Sequence, residues 1–402
     1  MRRKTMIDLN WAIIISIFIA VACLIMLGVL LAAALRMKTY SDPAALNYFN
    51  GNFLQTALQY NRTALLISIA ERFISWAAMA VALLCLWKLP IASGRVNIGV
   101  AIAVFATFSL ILYIILLPLQ YWRSFVLEHS FGLSNQALSA WFLDVLKDRA
   151  ISLLINTGIL TVIYIFLIKL PKTWWLAAGA IFIVFIILAV FVFPVLVDPL
   201  FYKFTPLQDE NLRSGIEKII QKAGIKVDNI LVVDASRKTN RVNAYFTGIG
   251  STKRIVIYDN LLNKNTDEEI LSVIAHEAGH WKYRHVLYNT VIACLQAVVV
   301  LAILKAFQSG FNINASVKLA FLLFIIYSLI SYLNMPLDNL ISRRFERTAD
   351  RSVIEFTANP GAQINIFEKL AVSNLSNVSP PPVLEYIIYS HPPILKRIES
   401  VR

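Results

Sequence analysis

Charge is scarce in this chain. Only 15% of its 402 residues are Asp, Glu, Lys or Arg, while 58% are hydrophobic; a soluble domain is about a quarter charged. The apolar residues gather in long runs that no soluble core needs, which excludes an ordinary globular architecture. Cysteine is nearly missing. Cys23, Cys85 and Cys294 lie dispersed inside apolar runs, which excludes a disulfide framework or a cysteine metal site and leaves small packing residues. Histidine is almost as rare, with five in the whole chain.

The scarce charge has one prevailing sign. The formal net charge is +13, but the Lys and Arg are scattered among loops with no aromatic–basic recognition motif, so nucleic acid is excluded as a partner. Basic loops beside apolar runs set topology and touch anionic headgroups; the expected partner is the lipid bilayer.

Runs of about 20 apolar residues cross a bilayer. Seven are present, over residues 11–35, 64–87, 98–119, 150–168, 174–197, 287–307 and 317–337. The first follows "MRRK" and is too long for a signal peptide, so it is expected to stay as an anchor. Trp174 and Trp175 follow "KLPKT" as an interfacial aromatic pair. The chain divides into 1–197 with five spans, 198–286 with the longest polar segment, 287–337 with spans six and seven, and 338–402 as a second polar region. No internal repeat is present, which argues against a transporter built from repeated halves. The Lys and Arg near span ends place the polar domain on the cytoplasmic side.

Within 198–286, "LQDENLRSGIEKIIQKAGI" predicts an amphipathic helix stopped near Gly224. "NILVVDAS", "VNAYFTG" and "KRIVIYD" predict three strands, the last two joined as a hairpin through "GIGSTK". Thr266 and Glu269 form a capping-box pattern that opens the next helix.

Three of the five histidines fall in "LSVIAHEAGHWKYRH", residues 271–285. On a helix His276 and His280 share one face, one turn apart. Two imidazoles so spaced can grip one zinc ion, and Glu277 beside them suits a general base: the H-E-x-x-H pattern of zinc peptidases. His285 falls off that face and is expected to be structural or interfacial. A catalytic zinc needs a third protein ligand. "SRRFERTAD" offers Glu346, with Asp350 one turn on to hold a ligand histidine by its far nitrogen. Alone, that stretch reads as a solvated face paired with Arg343, Arg344, Arg347 and Arg351; beside H-E-x-x-H it reads as a ligand segment. His391 in "YSHPPILKRIESV" and Arg397 are candidates to stabilise an oxyanion.

These residues together resemble the type I CAAX prenyl proteases, integral-membrane zinc metalloendopeptidases. "HEAGHW", "SRRFERTAD" and "SHPP" fall in the family's order around the last two spans, and "NAYFTG", "KRIVIYDNLL", "LEHSFGLSNQ" and "DPLFYKFTPL" resemble its other signature stretches. The resemblance implies a mainly α membrane protein, seven transmembrane helices enclosing a chamber, with a small α+β zinc-metallopeptidase domain and one Zn2+ per chain. It implies a peptide substrate added as a strand along Asn243, Ala244 and Tyr245, with Asn243, His391 and Arg397 facing the reaction. It implies removal of the last three residues from prenylated C-a-a-X proteins. The chain is short for the family, with no retrieval tail, which resembles a bacterial member; many bacteria do not prenylate proteins, which weighs against a C-a-a-X substrate and leaves misfolded membrane proteins or peptides as the alternative. Two rivals stand beside this reading: a membrane quality-control zinc peptidase that needs no prenyl group, and a metal-binding transporter. Glu71 and Arg72 inside the second span, and Glu128 and His129 in a loop, carry no assigned role.

Overall fold

The structure is a computed structural model describing residues 4–39, 42–89, 95–248, 253–311 and 313–402, with side chains from residue 11 onward. Residues 249–252, most of the expected hairpin turn, and the "RR" of the N-terminus lie outside the described residues.

Among the described residues, seven helices are long and apolar enough to cross a membrane: Trp11–Arg36, Gly51–Lys88, Ile98–Ser130, Leu138–Lys169, Trp174–Phe191, His285–Phe311 and Val317–Thr357. Large apolar side chains such as Phe18, Ile114 and Leu154 point outward and exposed, as lipid-facing residues must. The first six spans contact one another in sequence, and the sixth returns to the first, closing a ring. The seventh packs against the first, second, fourth and sixth. Its opening residues Leu319, Ala320 and Phe321 are fully buried, the first two in one cluster with Phe105, Tyr164, Leu167 and Trp174. That end of the ring is therefore filled with side chains.

Several helices outrun their apolar stretches. The second begins at Gly51, where the Asn50 side chain accepts a hydrogen bond from Phe53 N at 2.7 Å. Its extra turns bury Phe53, Leu54, Ala57 and Tyr60 against the core of the polar domain. The seventh continues from the membrane to Thr357 as one helix of 41 residues, carrying Glu346 and Asp350 with it. The fifth is shorter than expected: it stops at Phe191, and a short helix Phe193–Val197 follows with Pro194 in its first turn.

The polar domain holds a four-stranded sheet ordered β1-β2-β4-β3, with β1 Phe204–Pro206, β2 Asn229–Val233, β3 Ala244–Thr247 and β4 Arg254–Tyr258. The pairing β2–β4 is parallel and β3–β4 antiparallel, as a hairpin requires. β1 lies in "DPLFYKFTPL" and is too short and too proline-rich to be read as a strand; only antiparallel pairing with β2 reveals it. One sheet face packs Ile255 and Ile257 against Ile216, Ile219, Ile270 and Ile274 from the helices Glu210–Ala223 and Asp267–Lys282. The first of these ends at Gly224, whose φ of +69° closes the helix at no Cβ cost.

Candidate active site

The helix Asp267–Lys282 starts with a complete capping box. Thr266 accepts from Glu269 N while Glu269 accepts from Thr266 N at 2.8 Å. Such a cap contributes about 0.5–2 kcal/mol and sets the helix phase from its first residue. From that phase His276 and His280 emerge on one face, their Nε2 atoms 3.2 Å apart.

The seventh-span helix lies directly against this one. Gly279 makes the approach possible: a Cβ there would fall 2.0 Å from Ser352 Oγ and 3.2 Å from Ala349 Cα. At that separation Glu346 reaches across. Its Oε2 lies 3.3 Å from His276 Nε2 and its Oε1 3.3 Å from His280 Nε2. The donor atoms of His276, His280 and Glu346 all lie within 4.8 Å of one another, a spacing that could hold a metal ion. Glu346 Oε2 is buried yet completes no hydrogen bond. An oxygen so placed is costly unless a cation meets it.

One turn further, Asp350 lies 3.0 Å from His276 Nδ1. Asp350 is itself gripped by Arg397, through Nε at 2.9 Å and Nη2 at 2.6 Å. Both members of this fork are buried, where such charges survive only when paired and hydrogen-bonded. Two guanidinium nitrogens of Arg397 are thus engaged by Asp350, the carboxylate that faces His276. His391 Nε2 stands 3.3 Å from Glu346 Oε1, with its Nδ1 2.9 Å from Ser390 Oγ.

The charges around His276 set its protonation. Burial alone would lower it, but the neighbouring carboxylates of Asp350 and Glu346 prevail and push it up to about 10 in the metal-free protein. A proton on His276 stands there where a metal cation would. Burial pushes the Glu277 carboxyl above its ordinary range, with the imidazoles of His276 and His280 pulling the other way.

His285 is buried beside the site, outside the group of metal donors. The helix ends at Tyr283, and Arg284 takes a left-handed φ of 55°. The turn brings the buried His285 back so that its Nδ1 lies 3.1 Å from His280 Nδ1, with its ring stacked 4.4 Å from Phe345. Helical phase put it off the ligand face; the break at Arg284 makes that phase irrelevant. The cluster of three histidines was the only signal in the sequence.

β3 runs at the sheet edge beside this helix, with Phe246 6.4 Å from the Trp281 ring. Asn243 is exposed at its start and, with His276, Glu277, His391 and Arg397, lines a cavity of about 350 Å3. Ala244 is buried, and Tyr245 turns its hydroxyl to Asp198 at 2.8 Å. The loop residue Glu128 binds Arg241 at 3.0 Å and accepts from Tyr60, tying the second span to the strand edge. His129 sits between two backbone carbonyls, those of Phe125 and Gln136. Glu71 pairs with Arg123 of the third span at 2.9 Å, and Arg72 lies over the Tyr332 ring.

Known proteins are similar to this chain in sequence and in fold. Residues 206–402 match peptidase family M48, and residues 32–203 match the CAAX prenyl protease N-terminal region of five membrane helices. A Bacillus subtilis protein described as an uncharacterized metalloprotease, YhfN, is 36% identical over 305 residues, 72% of this chain and 70% of its own length. CAAX prenyl protease 1 of Saccharomyces cerevisiae is 30% identical over 313 residues, covering 71% and 68%. The crystal structure of S. mikatae Ste24p superposes with a TM-score of 0.82 at 25% identity, over 97% of this chain and 99% of that one.

Proposed function

This chain belongs to peptidase family M48 and is an integral, multi-pass membrane metalloprotease, and on that footing we propose a zinc endopeptidase that cuts near the C-terminus of C-a-a-X-type peptides, prenylated or not. His276, His280 and Glu346 hold one zinc ion. The observation that carries the reading is the convergence of both Glu346 oxygens on the two helix histidines, each at 3.3 Å, with Oε2 left unpaired. Bound there, zinc supplies Lewis-acid polarisation of the scissile carbonyl.

The chain's own residues do the rest. Glu277 takes a proton from the attacking water and returns it to the leaving amine. His391 donates its Nε2 proton toward the developing oxyanion. Asp350, held by Arg397, keeps His276 in one tautomer. The peptide pairs along the β3 edge at Ala244 and Tyr245, with Asn243 against the scissile region. The catalytic domain faces the cytoplasm, on the surplus of Lys and Arg at that end of the spans.

The test uses detergent-purified, zinc-loaded protein with a farnesylated C-a-a-X peptide and its unprenylated twin. Both are expected to be cut before the last three residues. Stoichiometric zinc with neither peptide cut would reject the substrate class; no zinc would reject the site.

Two expectations follow at the metal. Ligation requires a neutral imidazole, so binding of a divalent ion at pH 7 should release about one proton, from His276. The sign is fixed: a group held up to about 10 is charged at neutral pH, so metal affinity rises as pH rises. Calorimetry in two buffers of different ionisation enthalpy reads the proton count, and none released would refute it. Replacing His285 by Leu should weaken metal binding by about 10–100-fold through loss of the contact to His280. Chelator competition measures this, and wild-type affinity would mean that the contact is idle.

A further inference from the structure

The cavity beside His276 and Glu277 is built more elaborately than hydrolysis requires. It runs from these residues and Asn243 to Asn374, Asn377 and Tyr389, between apolar walls that include Leu261 and Ile366. Asn377 is 4% exposed; its amide nitrogen donates toward the Tyr389 hydroxyl, and its Oδ1 is left unpaired. Gln363, fully buried in the same wall, donates to the Asp350 carbonyl at 2.8 Å and leaves its Oε1 unpaired. The two unpaired amide oxygens border one cavity, and the N–H groups of a peptide backbone can serve them.

The strand edge leads into this cavity and then stops. Asn243 turns its carbonyl to Tyr258 N at 3.1 Å, toward β4. In an antiparallel strand the flanking Val242 and Ala244 therefore face the open side. At Val242 that side is taken: its N–H donates to Asn374 Oδ1 at 3.1 Å, and its carbonyl accepts from Asn374 Nδ2 at 3.3 Å. The Asn374 side chain mimics a strand partner and ends the free edge there. The next residue, Leu375, is held at a left-handed φ of 48°, with its carbonyl accepting from Asn61 at 2.6 Å. A non-glycine residue stays in that region only where its surroundings enforce it.

Resting on the peptidase reading above, we propose that this cavity seats the C-terminal leaving segment of the substrate, with Asn377 and Gln363 hydrogen-bonding its backbone and Asn374 setting its maximum length. A cavity of about 350 Å3 is at the floor of the roughly 300–1,000 Å3 range of ligand pockets and holds about two or three extended residues. An isoprenoid chain would fit the apolar walls but leave both amide oxygens unpaired. Asn374 and Asn377 thus determine where along a chain the cut falls.

The test is a series of peptides identical up to the scissile bond, with one to six small aliphatic residues beyond it, given to the zinc-loaded full chain. The wild type should peak at two or three residues and fall by about tenfold or more at six. Asn374→Ser should raise the rate ratio of six to three residues by about tenfold, and Asn377→Leu should raise KM for three residues about tenfold, with less effect on one. Cleavage with a flat length profile overturns this proposal alone. A penalty from Asn377→Leu confined to farnesylated peptides also overturns it, because the cavity would then hold lipid. Failure to cut any peptide at any length overturns the peptidase reading, and this one with it.

Discussion

Glu277→Gln is expected to lower kcat/KM on a C-a-a-X peptide by about 10²–10⁴-fold while metal binding stays stoichiometric. The side chain lines the cavity next to His276 and has no place among the metal donors. Gln keeps the shape and the polarity but cannot accept the proton of the attacking water. Its burial, which raises the Glu277 carboxyl above its ordinary range, suits a group that must both take and give back a proton near neutral pH. Activity assays with metal analysis on the same sample decide it. A variant that keeps near wild-type turnover would move the general base elsewhere, and a transporter whose histidines carry metal as cargo predicts that outcome.

Glu346→Ala should abolish both stoichiometric metal binding and peptide hydrolysis. Three carboxylate–imidazole contacts meet at this one residue, to His276, His280 and His391. Its loss removes the only carboxylate in the described metal-binding group. Asp350→Asn should be milder, at about 10–100-fold in metal affinity, because it orients a ligand without supplying one. Metal content after dialysis and turnover are the readouts. If Glu346→Ala kept one tightly bound ion, the third donor would be another residue. If Asp350→Asn matched it in severity, the Arg397–Asp350 pair would be holding the two helices together rather than tuning His276.

Much of this architecture was legible because membranes and helices impose simple periods. Each of the seven apolar runs gave a helix long and apolar enough to cross a bilayer. The helix stopped at Gly224, the capping box opened at Thr266, and the last two strands paired as a hairpin. The helix ends were legible only in part. Apolar content marks where lipid ends, whereas a helix continues as long as its hydrogen bonds do, so the second and seventh spans ran on into the polar domain. β1 escaped notice because three residues with a proline carry no strand signal without their partner.

The site divides in the same way. His276, Glu277 and His280 are neighbours in sequence, and four residues on one helix set their geometry before any tertiary contact forms. Glu346 and Asp350 were named by spacing too, as one face of a second helix. Sequence alone therefore determined a membrane chain of seven spans and two helical faces able to share a metal. What only the tertiary structure decided is how those faces meet: Gly279 against Ala349 and Ser352, the His285 ring returned to His280 by Arg284, and Arg397 committed to Asp350. It also decided that Asn374 closes the strand edge 132 residues away in sequence. Local periodicity is written residue by residue along the chain. The distance between two faces depends on packing that no local pattern encodes.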